Sequence, residues 1–273
     1  MDMRVKEDFL RLWTRYFNNM ALPLAFYYAN GPIETLMTAN QITSGRRSGL
    51  TLLQLETETQ TKCVIEALAK VRKGKTVILS IDSLKCTGGK LQLGFADLDN
   101  RPFSEQYRYS YRDYFISDGI PGMIEGERLK KDPGLCREIN LNTPLFKAPG
   151  EYCVFKRFDQ LSANDPAAVV VFFAKPDVLA ALYNLVNFDS ADLNAVIAPW
   201  GTGCYSIVTA PYEEVDSATP KAVLGMLNTV PRSFIGWDEF SFAVPMSLFK
   251  RMVDQMEESF ISNEAWAELQ KRI

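Results

Sequence analysis

The 273 residues are 47 % hydrophobic and 23 % charged, an ordinary globular composition in a chain long enough to bury its own core. Thirty basic against 33 acidic side chains leave a net charge of −3, which argues against an electrostatic nucleic-acid binder. There is no histidine, so Ser-His-Asp and Cys-His machinery, His-ligated zinc or copper and proximal-histidine haem are excluded; carboxylate, lysine, tyrosine and cysteine chemistry remain.

The opening, Met1 to Asp8, is charged and has no apolar signal core behind it. Val5, Phe9, Leu12, Trp13 and Tyr16 recur at helical spacing over residues 4–17. Pro23 to Tyr28 alternates as a strand does, and Asn30-Gly31-Pro32 ends it. A polar, threonine-rich stretch leads to Cys63, after which Val64, Leu68 and Val71 mark a helix that Gly74 stops. Residues 76–81 read as a strand, followed by a Gly-Cys loop at Cys86-Thr87-Gly88-Gly89 and a short strand over 91–95.

Residues 97–147 differ in texture, with Tyr107, Tyr109, Tyr111, Tyr114 and Phe115, a turn at Gly119-Ile120-Pro121-Gly122 and a charged helix over 125–139; they read as an insertion or subdomain. Strands are expected at 152–158 and 167–173, and a helix from Pro176 to Asn187. A strand at 194–199 leads through Gly201-Thr202-Gly203-Cys204 into another helix start. Strands at 222–227 and 240–244 precede a late amphipathic helix through Leu248, Phe249, Met252, Val253, Met256 and Phe260, and Asn263 is placed to cap the last helix. The alternation predicts a single α+β domain over 1–273, a mixed sheet covered by helices with βαβ-like units. The longest apolar run, Ala167 to Ala174, is far short of the ~18 residues of a membrane span. An odd number of cysteines, five, without framework spacing fits reduced thiols in a cytoplasmic protein.

Three patterns point to chemistry less strongly than they first suggest. The stretch 69–76 fits a relaxed phosphate-loop pattern, but its order is helix, loop, strand, so it ends a helix instead of opening one. Gly201-x-Gly203-x-x-Ser206 follows a strand and precedes a helix, which suits a small anion better than a dinucleotide. Glu125, Glu127, Asp238 and Glu239 are candidate acids or bases that read more readily as solvated surface.

The cysteines carry the sharper expectation. Cys86 and Cys204 each follow an apolar strand in a loop with two glycines, Gly88 and Gly89 or Gly201 and Gly203. If those strands are parallel members of one sheet, both thiols leave the same edge. A helix of ~15 Å followed by a return strand of ~20 Å brings Cys63 back to the edge where Cys86 emerges. The helix N-terminus favours a thiolate at Cys63. Cys136 and Cys153 point elsewhere. The expectation is a metal centre, zinc or an iron–sulfur cluster, on Cys63, Cys86 and Cys204, with redox or Lewis-acid function, and with Gly88, Gly89, Gly201 and Gly203 approaching it. A redox partner or a small molecule would complete it. The rival expectation is a small-anion-binding protein with inert buried thiols.

Cys63 with a helix ending Lys73-Gly74-Lys75-Thr76-Val77, Cys86-x-Gly88-Gly89-Lys90, Leu93-Gly94-Phe95, Gly119-Ile120-Pro121-Gly122-x-x-Glu125-Gly126-Glu127-Arg128, Val196-Ile197-Ala198-Pro199-x-Gly201-x-Gly203-Cys204 and Phe242-Ala243-Val244-Pro245 together resemble the domain of unknown function 169 family, from about Ala21 to Trp266. The resemblance implies a cytoplasmic prokaryotic protein whose recurrent cysteines correspond to Cys63, Cys86 and Cys204; it implies no reaction.

Overall fold

Apolar strands of six residues at 24–29, 152–157, 169–174 and 240–245 build the middle of a sheet whose edges are shorter. The computed structural model describes residues 1–18, 20–31, 63–95 and 112–273. The strands are β1 (Leu24–Ala29), β2 (Val77–Leu79), β3 (Gly119–Ile120), β4 (Ile124–Glu125), β5 (Tyr152–Arg157), β6 (Val169–Ala174), β7 (Val196–Ile197), β8 (Ala222–Gly225) and β9 (Phe240–Pro245). Seven of them form a mixed sheet in the order β2-β5-β1-β6-β9-β8-β7, and β3 and β4 form a separate hairpin. Every neighbouring pair is antiparallel except β7 and β8, which are parallel and joined through a helix, the one βαβ unit among the described residues. The fold is therefore α+β.

Strand alternation sorts side chains to two helical layers. Ala25, Val170, Phe172, Phe242 and Val244 face α1 (Met3–Tyr16), α6 (Pro176–Asn187) and α8 (Met246–Gln255). Asp2 caps α1 by accepting the Arg4 N–H, and Val5, Phe9, Leu12, Trp13 and Tyr16 all come out buried, as their spacing requires. Leu24, Phe26, Val169, Val171, Phe173 and Ala243 face the other layer, which holds α2 (Val64–Arg72) and the helix entered at Cys204. Lys156 on β5 is 1 % exposed, yet its ammonium sits on both Asp165 oxygens at 2.8 and 2.9 Å, with Tyr27 Oη donating to the same carboxylate. A charge so deeply buried persists only with such partners.

Several sequence expectations give way here. Residues 87–92 form a helix, α3 (Thr87–Gln92), where a Gly-Cys loop and then a strand starting at 91 were expected: the Cys86 sulfur caps it by accepting the Gly89 N–H at 3.3 Å. The expected helix over 125–139 starts late. Gly119, in the left-handed region at φ +84°, folds 119–125 into the β3–β4 hairpin. Asp132 then caps α5 (Pro133–Asn142), with Pro133 in its first turn. In the same region α4 is Arg112–Ile116, and Tyr107, Tyr109 and Tyr111 lie outside the described residues. β2 and β7 are not parallel neighbours: they lie at opposite edges of the sheet, and its alternating directions make them run opposite ways. Among the described residues, no helix is long and apolar enough to cross a membrane.

Candidate functional site

Cys63 is the N-cap residue of α2, with extended backbone at φ −144° and ψ 141°. That conformation sets it at the head of the helix, beside the first-turn N–H groups, and its side chain makes no capping hydrogen bond. Cys204 comes into the same apolar cluster from across the molecule. These neighbours favour the thiolate, and the Cys63 pKa is drawn down from 9.0 to about 6. The Cys204 thiol is the largest cause; burial opposes it, and the Glu66 and Ile65 amides in the first turn of α2 add to it. No disulfide joins any of the five cysteines, and Cys63 is half-buried.

Cys204 is 8 % exposed and leads into a π-helical segment, Tyr205–Thr209, which continues as α7 (Ala210–Glu213). Pro211 gives the local reason. It has no N–H to offer the Ile207 carbonyl four residues back, so the α-ladder is broken there and the helix widens. The widened turn is pinned by its polar side chains. Ser206 Oγ donates to the Gly203 carbonyl at 3.1 Å and accepts the Met226 N–H at 3.2 Å. Thr209 Oγ1 lies 2.8 Å from the Gln92 carbonyl oxygen, which ties α3 to the π segment. Met226 is 1 % exposed and sits in the left-handed region at φ +60°, unusual for a bulky side chain.

Cys63 and Cys204 thus share an apolar cluster on one face of the sheet and owe nothing to a shared strand edge. From β7 the chain passes back over that face, and the head of its next helix meets the head of α2. Cys86 caps the neighbouring α3, whose Gly89 lies so close to α2 that a Cβ there would stand 3.0 Å from Val64 Cγ2. Gly88 also lies on α3. Among the described residues, no group of three or more His, Cys, Asp and Glu side chains could hold a metal ion. Cys136 and Cys153 are buried on α5 and β5, and burial pushes both thiols up.

The glycines act as close-packing positions. Beside Gly203 stand Met226 Sδ, Pro231 and Ile65, and the Tyr205 ring fills the space beside Gly201. The Ser206 N–H is taken by the Thr202 carbonyl and the Tyr205 N–H by Thr202 Oγ1, so this helix start is capped from within the chain. Glu239 is held in a two-pronged pair with Arg72 at 2.6 and 2.8 Å and accepts the Gly236 N–H, while Asp238 pairs with Lys175. Sequence reasoning missed Met226 and the π segment. Pro211 was the one visible signal for the latter; the left-handed backbone of Met226 has no sequence signature.

No curated protein and no solved structure matches the chain. The family model for domain of unknown function 169, described as an uncharacterised ArCR, matches residues 23–255, and the chain belongs to that family.

Proposed function

We propose that the chain is a dithiol–disulfide protein in which Cys63 is the attacking thiolate and Cys204 the resolving thiol. What supports this reading is that Cys63 and Cys204 lie in one apolar cluster and that Cys204 is the largest influence drawing the Cys63 pKa down to about 6. Cys63 is half-buried and Cys204 buried, so an incoming molecule meets Cys63 first. The Cys63 thiolate attacks one sulfur of an external disulfide; a Cys63–S–S–R bond forms, the external S–S bond breaks, and one thiolate leaves. Cys204 then gives up its proton, attacks the Cys63 sulfur and expels the second thiolate. The two protein thiols lose two electrons and the external disulfide gains them.

Oxidation of the reduced chain by a small-molecule disulfide, followed by proteolysis and mass spectrometry, tests this reading. The expected product is a Cys63–Cys204 disulfide in the parent and a lasting mixed disulfide on Cys63 in Cys204→Ser. Mixed disulfides scattered over other cysteines, with no Cys63–Cys204 bond, would overturn it.

A second reading keeps zinc or an iron–sulfur cluster on Cys63, Cys86 and Cys204, and the packing of Gly89 on Val64 favours it. The Cys86 sulfur, however, is engaged in capping α3, and the pair is the better-supported unit.

A further inference from the structure

We propose that one end of the sheet carries a dimerisation face, formed by Trp200 and the 226–239 loop, and that its partner is the same face of a second copy of this chain. The proposal goes beyond the dithiol reading and does not depend on it.

β7 and β8 run parallel, so the residues that follow them leave the sheet at the same end, and β9, antiparallel to β8 with Ser241 opposite Gly225, starts from that end. Trp200 lies just beyond β7, Leu227 just beyond β8, and Val230, Phe234 and Trp237 on the crossing from β8 to β9. All five side chains are exposed, Trp237 at 88 % and the others at 37–56 %. At ~200 Å² for an aromatic side chain, the three rings alone leave about 340 Å² in water, enough for the apolar centre of a two-fold interface of ~800 Å² per partner.

The loop that presents them is held in place. Arg232 ties its two ends together: Nη1 donates to the Met226 and Glu239 carbonyls at 3.1 and 3.0 Å, and Nη2 to the Trp237 carbonyl at 2.7 Å. Val230–Phe234 forms a 3-10 turn, and Pro231 stands 3.2 Å from where a Cβ on Gly203 would lie, which seats the turn on the head of the π segment. Apolar side chains offered from a backbone so fixed lose little freedom on association.

Charge selects the occupant. The loop has three charged side chains, and each is engaged inside the chain: Arg232 on those carbonyls and over the Phe240 ring, Asp238 on Lys175 at 3.3 Å, and Glu239 on Arg72. Lys130 is held over the Trp200 ring at 3.8 Å. An anionic lipid surface is met by free Lys and Arg side chains, and a charged protein by opposite charges; the loop offers neither. A face whose charges are already satisfied meets its own copy without repulsion, and a two-fold arrangement brings each exposed ring to the interface twice.

The test is sedimentation velocity of the full-length chain over a range of concentrations, at low and high salt. The chain is kept reduced so that no intermolecular disulfide contributes. Trp237→Ser, Val230→Lys and Val230→Glu are run beside the parent, and phosphatidylcholine vesicles serve as a second probe. The expected result is a parent dimer that is no weaker at high salt. Trp237→Ser should weaken it at least about 30-fold, and the two charges at 230 should weaken it alike, because the facing surface favours neither sign. Both side chains are exposed, so each variant should keep the parent's urea midpoint, which shows that it is folded. A parent that stays monomeric, a dimer untouched by Trp237→Ser, or one strengthened by either charge would each overturn the face. A monomer that binds the vesicles would overturn it too, and would assign the loop to a lipid surface.

Discussion

A cysteine at a helix N-cap has two amides to stabilise its charge, but at Cys63 the larger share comes from the Cys204 thiol. The protein therefore sets the reactivity of one residue from a helix start 141 positions away in sequence (204 minus 63). Replacing Cys204 with alanine removes that donor and leaves burial opposing the charge. The Cys63 pKa should then rise from about 6 toward 9.0, so its thiolate appears at higher pH. Following the thiolate's ultraviolet absorbance against pH in both proteins measures this; an unmoved titration would mean the amides alone set it. Cys63 was legible as a helix-start thiol because the apolar spacing of Val64, Leu68 and Val71 fixes where α2 begins. Cys204 was expected beside it on the premise of a shared strand edge, but β2 and β7 lie at opposite edges and run in opposite directions.

At the scale of elements, three helix starts meet through absences of side chain. Gly89 lets α3 lie on Val64, and Gly203 lets the π segment close against Met226, Pro231 and Ile65. Glycine in such a sequence pattern resembles a ligand-approach loop, and only the neighbours distinguish the two uses. Gly203→Val should therefore destabilise the fold by about 1–3 kcal/mol through overpacking. A urea titration should show a lower midpoint with an unchanged slope. Undiminished stability would mean that the space beside residue 203 is open. The same limit applies to 87–92, where the apolar Leu91, Leu93 and Phe95 alternate as in a strand. The chain is helical there because Cys86 caps it and Gln92 is anchored on Thr209, both invisible to local pattern.

Across the molecule, the central strands and the long amphipathic helices were legible because burial imposes periods of two and 3.6 on their side chains. Strand order and direction were not, since β1, β5, β6 and β9 are all short apolar runs that would pair equally well in other orders. Nor was the Lys156–Asp165–Tyr27 cluster, whose members come from three separate segments and whose lysine sits in a strand as if on a surface. This sheet holds the heads of α2 and the π segment together, and the account turns on the reactivity that results. At pH 7, a pKa near 6 raises the thiolate fraction of Cys63 roughly 90-fold over a thiol of pKa 9, while intrinsic nucleophilicity falls roughly 20-fold, a net gain of about four- to five-fold. Isotope-coded alkylation of all five cysteines at that pH, read by mass spectrometry, measures it directly. The expected result is Cys63 labelled about four to five times faster than in the unfolded chain, Cys136 and Cys153 labelled only after unfolding, and Cys63 and Cys204 protected together once the protein has met a disulfide. Labelling of Cys63 no faster than in the unfolded chain, or protection of one thiol without the other, would contradict the account.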